Sequence, residues 1–103
     1  MPRPYSQKFM LELGNTDSNA LGVQLAKLCV EANLPAKYVA VALETSRMTV
    51  HSWFRGHEIR KSKHKLITVF MDLVKQDMKH GRLPAKSHID AKDYIQDMIG
   101  VEI

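Results

Sequence analysis

Apolar side chains along this chain recur at intervals of three and four, and polar, proline or glycine stops cut them into runs of helix length. Leu21, Leu25, Leu28, Cys29 and Ala32 fall on one face of a helix over residues 18–32. Leu66, Ile67, Phe70, Met71, Leu73, Val74 and Met78 give a broader stripe over residues 62–80. Three-and-four spacing is the period of a helix face, and the two-residue alternation of a half-buried strand is nowhere present. The spacing predicts an all-α fold.

The stops place the boundaries. Ser18 suits the N-cap of the first firm helix, and Asn33 its C-terminal stop, with Leu34 packing across the corner. Pro35 opens a second helix over residues 36–43, because the donor it lacks has no partner in a first turn anyway. That helix turns Val39, Ala40 and Leu43 inward, and Ala40 and Ala42 are small enough for a close helix approach. Glu44 and Thr45 form the turn before Ser46. Gly81 and Pro84 end the long fourth helix, and a last helix starts after Asp90, carries Ala91, Tyr94, Ile95, Met98 and Ile99 on one face and stops at Gly100. Phe9, Met10, Leu11 and Leu13 suit a short additional helix ahead of the turn cluster at residues 14–17. The expectation is one domain of 103 residues, a compact bundle of about five helices with a short sixth at the start.

Residues 46–56 stand apart from this core-building pattern. Ser46 reads as an N-cap and Gly56 as a stop, and between them only Val50 and Trp53 read as strongly core-facing. The remaining surface holds Arg47, Met48, Thr49, His51, Ser52 and Arg55, side chains that donate to or pack on nucleobases. A short helix with so little burial and so many exposed donors is built to present a face. With the helix before it and a connection of about three residues, it has the dimensions of a helix-turn-helix, with residues 46–55 as the recognition helix. The domain then divides into an N-terminal segment (1–17), a helix-turn-helix core with a long fourth helix (18–80) and a C-terminal helical extension (81–103).

Charge is concentrated in the same place. The chain carries 15 basic and 11 acidic residues, a net +4. Residues 47–66 hold Arg47, Arg55, Arg60, Lys61, Lys63 and Lys65 against Glu58 alone, a net +5 that exceeds the excess of the whole chain. A localised basic stripe is the footprint of a phosphate-binding surface, although a solvated lysine-rich loop has the same composition. Lys61, Lys63 and Lys65, with His64, lead into the start of the fourth helix, whose free backbone donors suit a phosphate.

Residues 21–56 resemble the lambda-repressor/Cro-like (Xre-type) helix-turn-helix family. The resemblance runs through Leu21 and Leu25, Ala32, Asn33 and Leu34, Val39, Ala40 and Leu43, then Ser46, Thr49, Val50, Trp53, Arg55 and Gly56. It implies double-stranded DNA as partner, with Arg47, Met48 and Ser52 facing base edges in the major groove and Thr49 and His51 at the margin of that surface. Ala36 stands where the family commonly has a polar residue on the DNA backbone, so that clamp is absent or moved to Lys37. Phe54 replaces the family's usual glutamate and implies an extra packing contact. Beyond the third helix the family pattern does not line up.

Several residues keep two readings. The planar fork of Arg47 fits the acceptor edge of guanine or a phosphate, and Met48 fits a thymine methyl or a neighbouring side chain. Thr49 reaches DNA or reinforces the cap, while Trp53 reads as core. Tyr94, Ile95, Met98 and Ile99 either close a two-fold homodimer, spacing two recognition helices on one DNA face, or fold back onto the chain's own core. His51, His57 and His64 have no metal-ligand spacing, Cys29 is the only cysteine, and neither a phosphate loop nor a nucleophile elbow occurs, so no cofactor, metal or enzymatic activity is expected. No apolar run approaches the roughly 18 residues of a membrane span, and the opening residues lack a signal peptide's hydrophobic stretch. The expectation is a cytoplasmic, sequence-specific DNA-binding transcription regulator of bacterial or phage type. The alternatives are a module that binds a polymerase or another protein partner, and a DNA-binding protein without sequence preference.

Overall fold

A computed structural model describes residues 5–14 and 20–103. These form six helices: α1 Gln7–Gly14, α2 Leu21–Ala32, α3 Ala36–Ala42, α4 Arg47–Phe54, α5 Lys61–Lys79 and α6 His88–Ile99. No strand occurs among the described residues, so the chain is all-α there, with six helices rather than about five. The sixth is α1, the short helix read at the start of the sequence, which Phe9, Met10 and Leu13 attach to the core. The expected cap at Ser18 lies outside the described residues; α2 begins after Ala20, which supplies no side-chain cap.

Helix α2 is the axis of the bundle. Leu25, Ala26, Cys29 and Ala32 have no exposed surface, and Leu34 is equally enclosed just beyond the helix end. Burial pushes the Cys29 thiol well above its ordinary pKa and keeps it protonated. Asn33 ends α2 in the left-handed conformation, φ 58°, which asparagine tolerates better than most residues. Its side-chain amide then donates to the Ala85 carbonyl at 2.8 Å, and the Ala85 amide donates to the Ala32 carbonyl at 2.9 Å. One residue thus stops a helix and stitches the segment before α6 onto that stop.

The close approach of α2 and α4 depends on Gly22. A Cβ at this position would lie 2.1 Å from the Trp53 carbonyl oxygen, so the two backbones meet where no side chain fits. Trp53 itself is buried, as its place in the pattern predicts. Phe54 is buried too, at 2% exposure, so α4 has three core positions rather than two. Its ring lies 6.3 Å from Phe9 and 6.1 Å from Tyr5, and the Tyr5 hydroxyl donates to the Leu34 carbonyl at 2.6 Å. This aromatic group fastens the N-terminal segment over one side of α4.

The C-terminal extension also folds back. Helix α6 packs on α3, Ile95 is fully enclosed, and Tyr94 is 4% exposed with its hydroxyl donating to Asp77 at 2.6 Å. Met98 and Ile99 lean on the same core. Of the two readings of this stripe, homodimer or fold-back, Tyr94 and Ile95 take the second, buried within the chain where α6 packs on α3. Helix α6 also starts earlier than Asp90. Ser87 is the N-cap, accepting from the Asp90 amide at 3.1 Å, while the Asp90 carboxylate accepts from the Lys86 amide at 2.8 Å and pairs with Arg82 at 3.0 Å. This reciprocal cap puts Asp90 inside the first turn rather than ahead of it. The Lys86 amide first, and then Arg82, hold the Asp90 carboxyl below its usual pKa.

The α2–α4 contact makes a signed prediction. Helix propensity alone would favour Gly22→Ala by about 1 kcal/mol. The clash is with a backbone carbonyl that cannot move without displacing α4, and overpacking of this kind costs about 1–3 kcal/mol or more. Gly22→Ala should therefore lower the urea midpoint of unfolding; a raised midpoint would show that the helices do not touch there.

Candidate nucleic-acid interface

The local sequence of α4 orients its side chains. The Ser46 hydroxyl accepts from the Thr49 amide at 3.1 Å and lies 2.9 Å from the Thr49 hydroxyl, so the cap sets the helix start and Thr49 reinforces it. With Val50, Trp53 and Phe54 inward, the opposite crest of the helix carries Met48, Ser52 and Arg55. Met48 is 82% exposed, the most exposed large apolar side chain among the described residues. Arg47 and His51 lie on one flank of this crest and Thr49 on the other. No acidic residue occurs in the helix. At 1.5 Å per residue it is about 12 Å long, comparable to the width of a DNA major groove.

Each flank borders a concavity. On the Thr49 side, a cleft of about 440 Å³ is lined by Thr45, Thr49, Ser52, Trp53, Glu58, Arg60 and Lys63. On the Arg47 side, a cleft of about 210 Å³ is lined by Tyr5, Pro35, Ala36, Lys37, Arg47, His51 and His88. Arg55, at the far end of the crest, borders Glu12 and Phe9 of α1 in a third hollow. His51 meets Phe54 edge-on at 6.2 Å. Burial, and then the neighbouring charges of Arg47 and Arg55, hold the His51 imidazole below the ordinary value of 6.5. Partial burial first, and the two arginines second, thus disfavour a proton on this ring.

The basic stripe is less uniform than its sequence suggests. Lys61 and Lys65 on α5 are exposed, as is Arg60 just before that helix, whereas Lys63 turns inward. Its ammonium donates to the Leu43 carbonyl at 2.9 Å and the Glu44 carbonyl at 3.0 Å. These are the carbonyls of the turn between α3 and α4, where Glu44 takes a left-handed φ of 55°. Lys63 is therefore a clamp on the turn, not the free phosphate ligand expected of it. A cation there both satisfies the carbonyls and faces the negative end of α3. The loop leading into α5 is pinned as well: Ile59 is 5% exposed, and the His64 ring nitrogen Nε2 lies 2.8 Å from the Ile59 carbonyl.

Of the expected residues, the structure gathers Arg47, Met48, Thr49, His51, Ser52 and Arg55 along one exposed helix, with Lys37 beside Arg47 and Arg60 beside Ser52. Lys61 and Lys65 stand outside both clefts beside α4. Tyr5, Glu58 and His88 line these clefts without having been expected there. Ile59 carried a legible signal, as an isolated apolar residue inside a polar loop; His88 carried none. Among the described residues no three His, Cys, Asp or Glu side chains gather where they could hold a metal ion, and no helix is long and apolar enough to cross a membrane. No protein-family model matches the chain, and no similar curated protein or solved structure was found.

The clamp separates two roles for the lysines. Lys63→Ala should lower stability by about 1 kcal/mol, the scale of a partly exposed charged hydrogen bond, while Lys61→Ala should leave it unchanged. Urea unfolding of the two variants tests this, and equal midpoints would return Lys63 to the free surface cations.

Proposed function

We propose that the chain is a sequence-specific double-stranded DNA-binding protein of the lambda-repressor/Cro-like helix-turn-helix type, acting as a transcription regulator without enzymatic activity. In this reading α3 and α4 are the two helices of the motif, joined by residues 43–46, and α4 enters the major groove. The observation that carries it is the crest of α4. A capped helix with three buried anchors holds Met48, Ser52 and Arg55 outward, with Arg47 and His51 beside them and no carboxylate on the helix. A thioether left in water at 82% exposure, between donors, fits a surface completed by a partner with both methyl groups and acceptors. The major-groove edge of a base pair offers both.

Another face favours the protein-partner reading. Helix α5 leaves Val69 and Leu73 exposed one turn apart. Leu73 borders a cleft of about 370 Å³ with Asp77, Arg82, Tyr94, Asp97 and Met98. Lys65 precedes Val69 by one turn on the same face of α5, so a partner seated there meets an apolar surface edged by the exposed lysines.

Electrophoretic shifts with a selected duplex and with random duplexes test the DNA reading. Arg47→Ala should cost roughly 1–3 kcal/mol on the selected site and much less on random DNA. Equal losses would demote Arg47 to a phosphate contact, and a wild-type chain that selects no sequence would remove the regulator reading.

A further inference from the structure

The smaller cleft beside α4 joins residues of the helix-turn-helix reading to a part of the chain that reading does not use, the start of α6. Lys37 reaches it from α3, Arg47 and His51 from α4, and His88 from the first position of α6; no carboxylate is among the lining residues. Helix α6 is otherwise acidic on its exposed side, with Asp93 and Asp97, so it is the placement of one histidine that joins it to the basic surface. Tyr38 holds two of the four groups in position. The Lys37 ammonium sits 4.9 Å above its ring, and the His88 ring meets it edge-on at 6.3 Å. The cations Lys37 and Arg47 converge here from two helices with two imidazoles beside them and no carboxylate among the lining residues, so an anion in the cleft meets an uncompensated positive field.

We infer that this cleft binds a phosphate oxyanion, with Lys37, His51 and His88 as its donors and Arg47 lining its groove side. The inference rests on the DNA reading for the source of the phosphate, which would be a backbone phosphodiester beside the groove that α4 enters. The chemistry is the same for a free phosphate: a tetrahedral oxyanion accepting from an ammonium and two imidazole groups. The C-terminal helix then joins the binding surface, although its composition reads as a poor one for DNA.

A pH dependence follows. The groups facing His51 are Arg47 and Arg55 on its own helix, Lys37 from α3, His88 from α6 and Tyr5, which burial keeps neutral. From α1, Glu12 borders Arg55 in the neighbouring hollow. A phosphate in the cleft reverses the sign of the field at His51 and favours its protonated form, so binding takes up protons and tightens as pH falls.

The test uses the full chain and a Lys37→Ala/His88→Ala variant. Both side chains are exposed, and matching thermal unfolding of the two proteins confirms a common fold. Duplex DNA is titrated at several salt concentrations, at about pH 5.5 and about pH 7.5, either side of the ordinary imidazole value. Inorganic phosphate is titrated separately while the histidine ring resonances are followed by NMR. The expected result is a salt slope shallower by about one unit in the variant, the amount for one lost phosphate, and a weaker gain in affinity at low pH. Wild-type DNA binding with an unchanged slope in the variant overturns the inference and leaves the DNA reading standing. A chain that binds no duplex, but whose His51 resonance moves with phosphate in the wild type and not in the variant, supports the cleft with free phosphate as its ligand. No response to either ligand overturns it.

Discussion

The contact between Gly22 of α2 and the Trp53 carbonyl of α4 fixes the geometry on which everything else depends. Helix α4 has eight residues, too few to hold a helix in water without tertiary support, and its crest is polar. What keeps it helical and in place is the inward stripe of Val50, Trp53 and Phe54, and that stripe seats only because α2 offers a position without a Cβ. The approach brings backbone to backbone, so α4 cannot roll without losing it. Whatever the crest binds is met by a rigid surface.

Around that contact the chain adds fasteners from distant parts of the sequence. Lys63, nineteen and twenty residues from its two partner carbonyls, holds the turn that sets the angle between α3 and α4. Tyr5 ties the N-terminal segment to the end of α2, and Asn33 ties the C-terminal extension to the same end. Both tails therefore converge near the region that positions α3 and α4, which is why residues from each, Tyr5 and His88, line a cleft with Arg47. Helix, turn and tail form one structural unit.

Much of this was legible in the sequence. The three-and-four spacing located the helices, and Asn33, Ser46, Gly81 and Gly100 ended or capped them as their local chemistry requires; the three-residue error at α6 arose because Ser87 and Asp90 share a reciprocal cap, and a pattern search takes the second for the first. The features that were missed share a physical cause, since each is defined by something far away in sequence. Gly22 contributes nothing to an apolar pattern, and its role is the absence of an atom facing Trp53. Lys63 looks like any surface lysine until the turn carbonyls are set opposite it. The stripe of Tyr94 and Ile95 is equally suited to a neighbouring chain or to its own, and only the packing of α6 on α3 decides between them. The exposed residues of α4, by contrast, were readable because their signal is local: a cap, a stop and too few apolar positions between them.

The proposed DNA-contacting surface is the crest of α4 and its flanks. Amide chemical-shift mapping of the full chain with a selected duplex addresses it most directly. The largest changes should fall on residues 47–52, with Lys37 and Arg60 following and Val69 and Leu73 on α5 unmoved. Changes concentrated on Val69, Leu73 and Met98, or spread evenly without a maximum on α4, would contradict it.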